Sequence, residues 1–299
     1  MTRGRANLVL LLAGAMWGMG FVAQSTAMET IGPMLFIALR FLVATLSMLP
    51  AAIAEQRRAK RRLPASDWMN FAFIGVLLFA GMTAQQIGLE TTTVTNSGFL
   101  TGLYVVMVPF ISVLLFRQWP HVVVWPAALL ALIGIWLLSG GSIDSLRPGD
   151  WLTMLCAFFW ALQVIYIGRG AAGAGRPITL AVTQFAVCAA LAFICAIPLE
   201  GIDVGAIPTA APEILYAGIF SGGIAFTLQA IGQRYTTAPQ AAIFLSSESV
   251  FAALFGAIFL GERISIQGVV GCALIFLAIL GVEILPVVMA GRRIANSES

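Results

Sequence analysis

The chain of 299 residues is 60% hydrophobic and 10% charged, with a net charge of +3 and a mean hydropathy of +0.97. A water-soluble domain needs about 25% charged residues to cover its surface, so this composition excludes a soluble fold and makes lipid the solvent. Four cysteines (Cys156, Cys188, Cys195, Cys272) lie singly in apolar runs and there is one histidine, His121, which argues against disulfides and metal chemistry.

Ten apolar runs follow in chain order, each able to cross about 30 Å of hydrocarbon at about 1.5 Å per residue. The first, 8–27, carries Trp17, Phe21 and Gln24 on one stripe; it is too long for a signal-peptide core and reads as a span. Its Gly18-x-Gly20-x-x-Ala23 matches a dinucleotide fingerprint by letter only, with no strand before it. The second, 33–54, opens at Gly32-Pro33 and holds Arg40. After the basic stretch Arg57 to Arg62, the third, 68–88, ends near Gln85 and Gln86. In the fourth, 94–116, Ser97, Thr101 and Tyr104 fall at helical spacing on one stripe. The fifth, 121–139, ends at Gly140-Gly141. The sixth, 150–168, puts Trp160 and Gln163 on one face with Tyr166 just off it; the seventh, 177–197, opens at Arg176-Pro177 and carries Gln184. The eighth is 213–232, the ninth, 239–260, holds Glu248, and the tenth is 265–286. The expected fold class is an all-α membrane protein of ten transmembrane helices.

Loop charge sets the expected orientation. Placing the N-terminus inside puts thirteen of the sixteen lysines and arginines in cytoplasmic segments, including Lys60, Arg292 and Arg293. Only Arg147 and Arg263 remain outside, and Arg40 lies within a span. The positive-inside rule then predicts a multi-pass protein of a bacterial-type inner membrane with both termini cytoplasmic.

A shift of 144 residues lays the chain on itself. Pro33, Arg40 and Phe41 fall on Pro177, Gln184 and Phe185; Ile87-Gly88 and Thr92-Thr93 fall on Ile231-Gly232 and Thr236-Thr237; Trp17 falls within one residue of Trp160. This divides the chain into repeats 1–143 and 144–299. Five spans per repeat is an odd number, so the second must enter the membrane inverted, an arrangement that secondary transporters use around a central cavity. Gly14-x3-Gly18 and Gly98-x3-Gly102, with Ala242-x3-Ser246 as echo of the latter, predict close helix packing.

These residues resemble the drug/metabolite transporter superfamily in its EamA-type branch. The likeness rests on the two five-span halves, Ala15-Met16-Trp17-Gly18, Ala38-Leu39-Arg40-Phe41 and the closing Phe259-Leu260-Gly261-Glu262-Arg263-x3-Gln267-x3-Gly271. It implies export of amino acids, other metabolites or drugs, often against a proton gradient, with the YddG-type aromatic amino-acid exporters as the nearest in kind. The first half departs from the pattern, with Arg117-Gln118-Trp119 where a Gly-Glu-Arg-like segment is expected.

A charge at mid-membrane costs at least about 2.5–3.5 kcal/mol and normally faces a cavity or a partner. Arg40 and Glu248 lie at depths that allow pairing. Two readings stand: Arg40 attracts a substrate carboxylate and Glu248 an amino group or a transported proton, or the two form a structural ion pair, with snorkelling of Arg40 a further option. The expected substrate-binding set is Trp17, Phe21, Gln24, Arg40, Ser97, Thr101, Tyr104, Trp160, Gln163, Tyr166, Gln184 and Glu248, with Glu248 also the proton-coupling candidate; for each polar stripe, plain helix packing is the competing reading. An aromatic, lightly polar cavity suits an amphipathic solute. The expectation is therefore an exporter of small amphipathic metabolites, first of all aromatic or apolar amino acids. A multidrug or lipid-linked sugar exporter is the alternative, and a non-transporting receptor or intramembrane enzyme the reading from another class. No cofactor, catalytic residue, metal or nucleic-acid partner is expected. Membrane lipid and a small solute are, with a monomer or homodimer as the assembly.

Overall fold

The computed structural model describes residues 1–59, 61–138, 147–200, 202 and 204–297; Lys60, Ser139 and the Gly140-Gly141 break lie outside them. Among the described residues all regular structure is helical: α1 (Arg3–Ala27), α2 (Pro33–Arg58), α3 (Ala65–Gly88), α4 (Val94–Thr101), α5 (Tyr104–Phe116), α6 (Val124–Leu138), α7 (Pro148–Ala174) and α8 (Pro177–Leu199). Then come α9 (Ala211–Leu215), a π-helical segment Tyr216–Ile224, α10 (Ala225–Gly232), α11 (Ala238–Leu245), α12 (Ser247–Phe259) and α13 (Ile266–Ser297).

Nine helical stretches among the described residues are long and apolar enough to cross a membrane, and large apolar side chains point outward from them, Leu114, Met69 and Leu8 among the most exposed. Such a surface would be unstable in water and is what lipid contact requires. The fifth expected span, 121–139, is shorter than predicted: its apolar stretch is Val124–Leu137, about 21 Å of helix. His121 to Val123 are used in a turn in which the Val124 amide donates to the His121 carbonyl. At the other end α13 runs past the predicted boundary at 286 to Ser297.

Three expected spans are not regular helices. The fourth breaks between α4 and α5, where Gly102 and Leu103 close tighter i to i+3 turns, and the ninth breaks at Ser246 between α11 and α12. The eighth widens into the π segment. The first two breaks are related by the same 144-residue shift.

Other details repeat at that interval. Arg117 (φ 52°) and Gly261 (φ 70°) both end helices in the left-handed conformation. The next amides, those of Gln118 and Glu262, each donate 3.2 Å to the carbonyl six residues earlier, that of Ser112 and of Gly256, and close the helix end. The first half thus keeps the backbone of the Gly-Glu-Arg segment without its glycine. Helices pair across the halves in matching ways: α3 on α7 and α10 on α1, α12 on α1 and α5 on α7, with α6 on α13 and α2 on α8.

The α2–α8 pair is antiparallel and capped at both ends. Proline fits the first turn of each helix because its missing N–H is one that would have no helical partner anyway. Glu200, at the end of α8, accepts from the amides of Met34 (2.8 Å) and Leu35 (2.9 Å) at the start of α2. Glu55, near the end of α2, accepts from the amides of Ile178 (3.2 Å) and Thr179 (2.7 Å) at the start of α8, and from the Thr179 hydroxyl (2.7 Å). Each carboxylate answers the exposed donors and positive dipole end of the other helix.

Candidate functional site

An internal cavity lies between the two halves and is lined by Trp17, Phe21 and Gln24 of α1, Arg40 of α2, Met82 and Gln85 of α3, Tyr104 of α5, Trp160 and Val164 of α7, Ser221 and Phe226 of the eighth span, and Glu248 of α12. Close packing of α1 makes this convergence possible. Gly14 and Gly18 lie directly against Ser247 and Phe251 of α12, and Gly20 against Ser221, so a β-carbon at any of them would collide. The predicted G-x-x-x-G contact is therefore one between helices of a single chain.

Arg40 is 1% exposed. Its Nη2 donates to Ser221 Oγ at 3.2 Å, and its guanidinium carbon lies 5.5 Å from the Phe36 ring and 5.1 Å from that of Phe41. Its Nε and Nη1 are buried without a hydrogen-bond partner. Ser221, inside the π segment, is held in turn through its carbonyl, which accepts from Trp17 Nε1 at 3.0 Å. A π-helical turn re-aims side chains relative to a regular helix, and here it sets one serine against two residues of the first half.

Glu248 is 4% exposed, with Oε1 buried and unbonded. The Tyr104 hydroxyl points at its carboxyl without closing a hydrogen bond of good geometry. Arg40 and Glu248 share the cavity, but no ion pair joins them: Arg40 is engaged by Ser221 instead.

The floor of the cavity is aromatic. Trp17 lies 4.7 Å and Trp160 5.5 Å from Phe226, ring centre to ring centre, and Phe41 stacks on its 144-residue counterpart Phe185 at 5.9 Å. Arg40, about 10 Å from the start of α2, together with Gln24 and Gln85 near the ends of α1 and α3, places the polar lining toward the face opposite the N-terminus. The space is narrow, about 20 Å³ measured for the centre of a water-sized sphere, enough for water but not for an amino acid.

Of the residues expected at the site, Trp17, Phe21, Gln24, Arg40, Tyr104, Trp160 and Glu248 meet at the cavity. Thr101 stands one step behind, accepting from Gln85 Nε2 at 3.0 Å. Ser97 is fully buried with its hydroxyl unbonded. Tyr166 is directed elsewhere, packing edge-on against Phe73 and Phe116. Gln163 and Gln184 lie below the floor in a chain of amides: Gln163 donates to Gln184 Oε1, and Gln229 donates to Gln163 Oε1, both at 3.2 Å. Met82, Val164, Ser221 and Phe226 line the cavity unannounced by any polar stripe, although the 144-residue shift pairs Met82 with Phe226.

Comparison with known proteins gives two consecutive matches to the model of the EamA-like transporter family, over residues 4–140 and 147–284. An uncharacterized transporter of Archaeoglobus fulgidus is 32% identical over 280 residues, covering 93% of this chain and 86% of that protein. The uncharacterized transporter YwfM of Bacillus subtilis is 29% identical over 297 residues, covering 94% of each. A solved crystal structure shares the fold with a TM-score of 0.77 at 21% identity, over 95% of this chain and 98% of that one.

Proposed function

The chain belongs to the EamA-like transporter family, and on that premise we propose that it is a secondary transporter exporting small amphipathic metabolites, aromatic or apolar amino acids first among them, by alternating access. One observation carries the substrate class. A guanidinium with two unpartnered nitrogens and a carboxyl with an unbonded oxygen share one aromatic-floored cavity. A buried charge lacking a full partner costs several kcal/mol, and an amino acid supplies what each lacks. Its carboxylate accepts from the unpartnered Nε–H or Nη1–H of Arg40, its ammonium meets Glu248, and its side chain lies on Trp17, Trp160 and Phe226.

In this reading the ten predicted spans form two inverted five-helix repeats, 1–143 and 144–299. The antiparallel α2–α8 pair supports that, since these counterparts run in opposite directions while capping each other. Glu248 is the coupling group, binding a proton when no ammonium is present. Loop charge supports an inner-membrane protein with both termini cytoplasmic.

The test is uptake of L-phenylalanine, L-tryptophan and L-methionine into proteoliposomes of the purified protein, with and without a pH gradient. Rates well above empty vesicles, saturable and competed by the other amino acids, support the reading. Rates equal to empty vesicles for all three overturn it.

A further inference from the structure

The 144-residue shift pairs the cavity's lining with itself. Met82 with Phe226, Tyr104 with Glu248 and, within one residue, Trp17 with Trp160 all contribute both members. Four lining residues, Gln24, Arg40, Gln85 and Ser221, have no lining counterpart; those of Arg40 and Gln85 are Gln184 and Gln229.

Gln184 and Gln229 are 0% exposed and tied together by Gln163, also 0% exposed. The tie is incomplete: Gln184 Nε2 and Gln229 Oε1 are buried with no hydrogen-bond partner. An amide donor and an amide acceptor left open in an apolar interior are costly and call for another arrangement that satisfies them. The tie also exists on one side only, because the residue 144 before Gln163 is Met19, which cannot bridge two amides. Along their helices, Gln184 lies about 10 Å from the start of α8 and Gln229 about 4 Å from the end of α10, both ends on the face that carries the N-terminus. The chain of amides therefore stands between the aromatic floor and that face.

We infer that Gln184 and Gln229 are substrate-contacting, specificity-determining side chains of the state open to the N-terminal face, held closed here by Gln163. This rests on the alternating-access reading, in which each repeat takes the conformation of the other. In that state the Gln163 bridge breaks. Gln184 Nε2 then donates to the substrate carboxylate where Arg40 does on the opposite face, and Gln229 Oε1 accepts from its ammonium. The carboxylate is gripped by a neutral amide on one face and a guanidinium on the other, so affinity differs between faces.

The test is thiol labelling, which needs no substrate. In a full-length background with Cys156, Cys188, Cys195 and Cys272 changed to alanine, Gln85→Cys and Gln229→Cys are treated in sealed vesicles of known orientation with a charged, membrane-impermeant methanethiosulfonate. The Gln229→Cys thiol is expected to react from the N-terminal face alone and the Gln85→Cys thiol from the other face alone. Adding Gln163→Leu should raise the Gln229→Cys rate severalfold. Labelling of both thiols from one face, no labelling of Gln229→Cys where Gln85→Cys reacts, or a rate indifferent to Gln163→Leu overturns the inference. If Gln229→Cys does not assemble, Gln184→Cys gives the same reading. In parallel, Gln184→Leu should raise the KM for L-phenylalanine presented at the N-terminal face severalfold and leave the opposite face unchanged. Should no vesicle move L-phenylalanine while the labelling follows the expected pattern, the amino-acid reading falls and the gate stands.

Discussion

Tyr104 and Glu248 are placed together by two interrupted helices: Tyr104 is the first residue of α5 and Glu248 the second of α12, each just past its break. Discontinuous helices bring side chains and unsatisfied backbone to mid-membrane depth, where a regular helix would present only its packed surface. The two repeats thus deliver one polar side chain each to the same point, a phenol from the first and a carboxyl from the second. Their chemical difference is what lets a symmetric scaffold handle charge at one place.

Glu248→Gln keeps the shape of that point and removes its ability to bind a proton or balance an ammonium. Transport driven by a pH gradient should lose that dependence, and KM for L-phenylalanine should rise about tenfold, corresponding to about 1.4 kcal/mol. Uptake with and without the gradient, measured on the same preparation, checks both. Unchanged gradient dependence removes Glu248 from coupling.

Arg40→Gln installs the residue found at the equivalent position of the second half, so folding should survive. A hydrogen bond to a charged group is worth about 1.5–3 kcal/mol, which predicts a KM for amino acids raised by between tenfold and a hundredfold. Ser221→Ala should produce a smaller rise, since it frees Arg40 from its one hydrogen bond at 3.2 Å without removing the charge. Binding by isothermal calorimetry separates affinity from turnover.

Gly18 lies against the Phe251 and Ala252 backbone of α12. Gly18→Val should therefore destabilise the α1–α12 contact by about 1–3 kcal/mol, the range for overpacked interiors. Gly4→Val, in open surroundings, serves as the control. Thermal unfolding in detergent, followed by size-exclusion chromatography, reports the difference.

The two left-handed helix ends predict opposite signs. Gly261→Ala should cost about 1–2 kcal/mol, because a β-carbon is disfavoured at φ 70°. Arg117→Gly, at an exposed position with φ 52°, should relieve the same strain and leave stability unchanged or slightly raised. Paired melting curves for the two variants decide this.

Much of the helix layout was legible in the sequence because lipid imposes long apolar runs, and Pro33 and Pro177 mark helix starts without ambiguity. The breaks at Gly102 and Ser246 were not, since glycine and serine also occur inside continuous membrane helices and no proline intervenes. The π segment was equally hidden: an i to i+5 ladder leaves no periodic mark in a stretch as uniform as Tyr216–Ile224. At the cavity, polar and aromatic stripes pointed to Trp17, Arg40, Tyr104, Trp160 and Glu248 because amides, charges and indoles must find partners in lipid. Met82 and Val164 carry no such demand and could not be told from lipid-facing neighbours. Tyr166 misled for the converse reason, its helical phase leaving it to pack on Phe73 and Phe116.

The carboxylates at the two ends of the α2–α8 pair have a mechanical consequence. Sliding one helix along the other, in either direction, would pull Glu55 or Glu200 off the amides it holds. Rotating the pair as a unit breaks neither. A change of shape that keeps these bonds must therefore turn the two helices together, with bending confined to the interruptions at Gly102, Ser246 and the π segment.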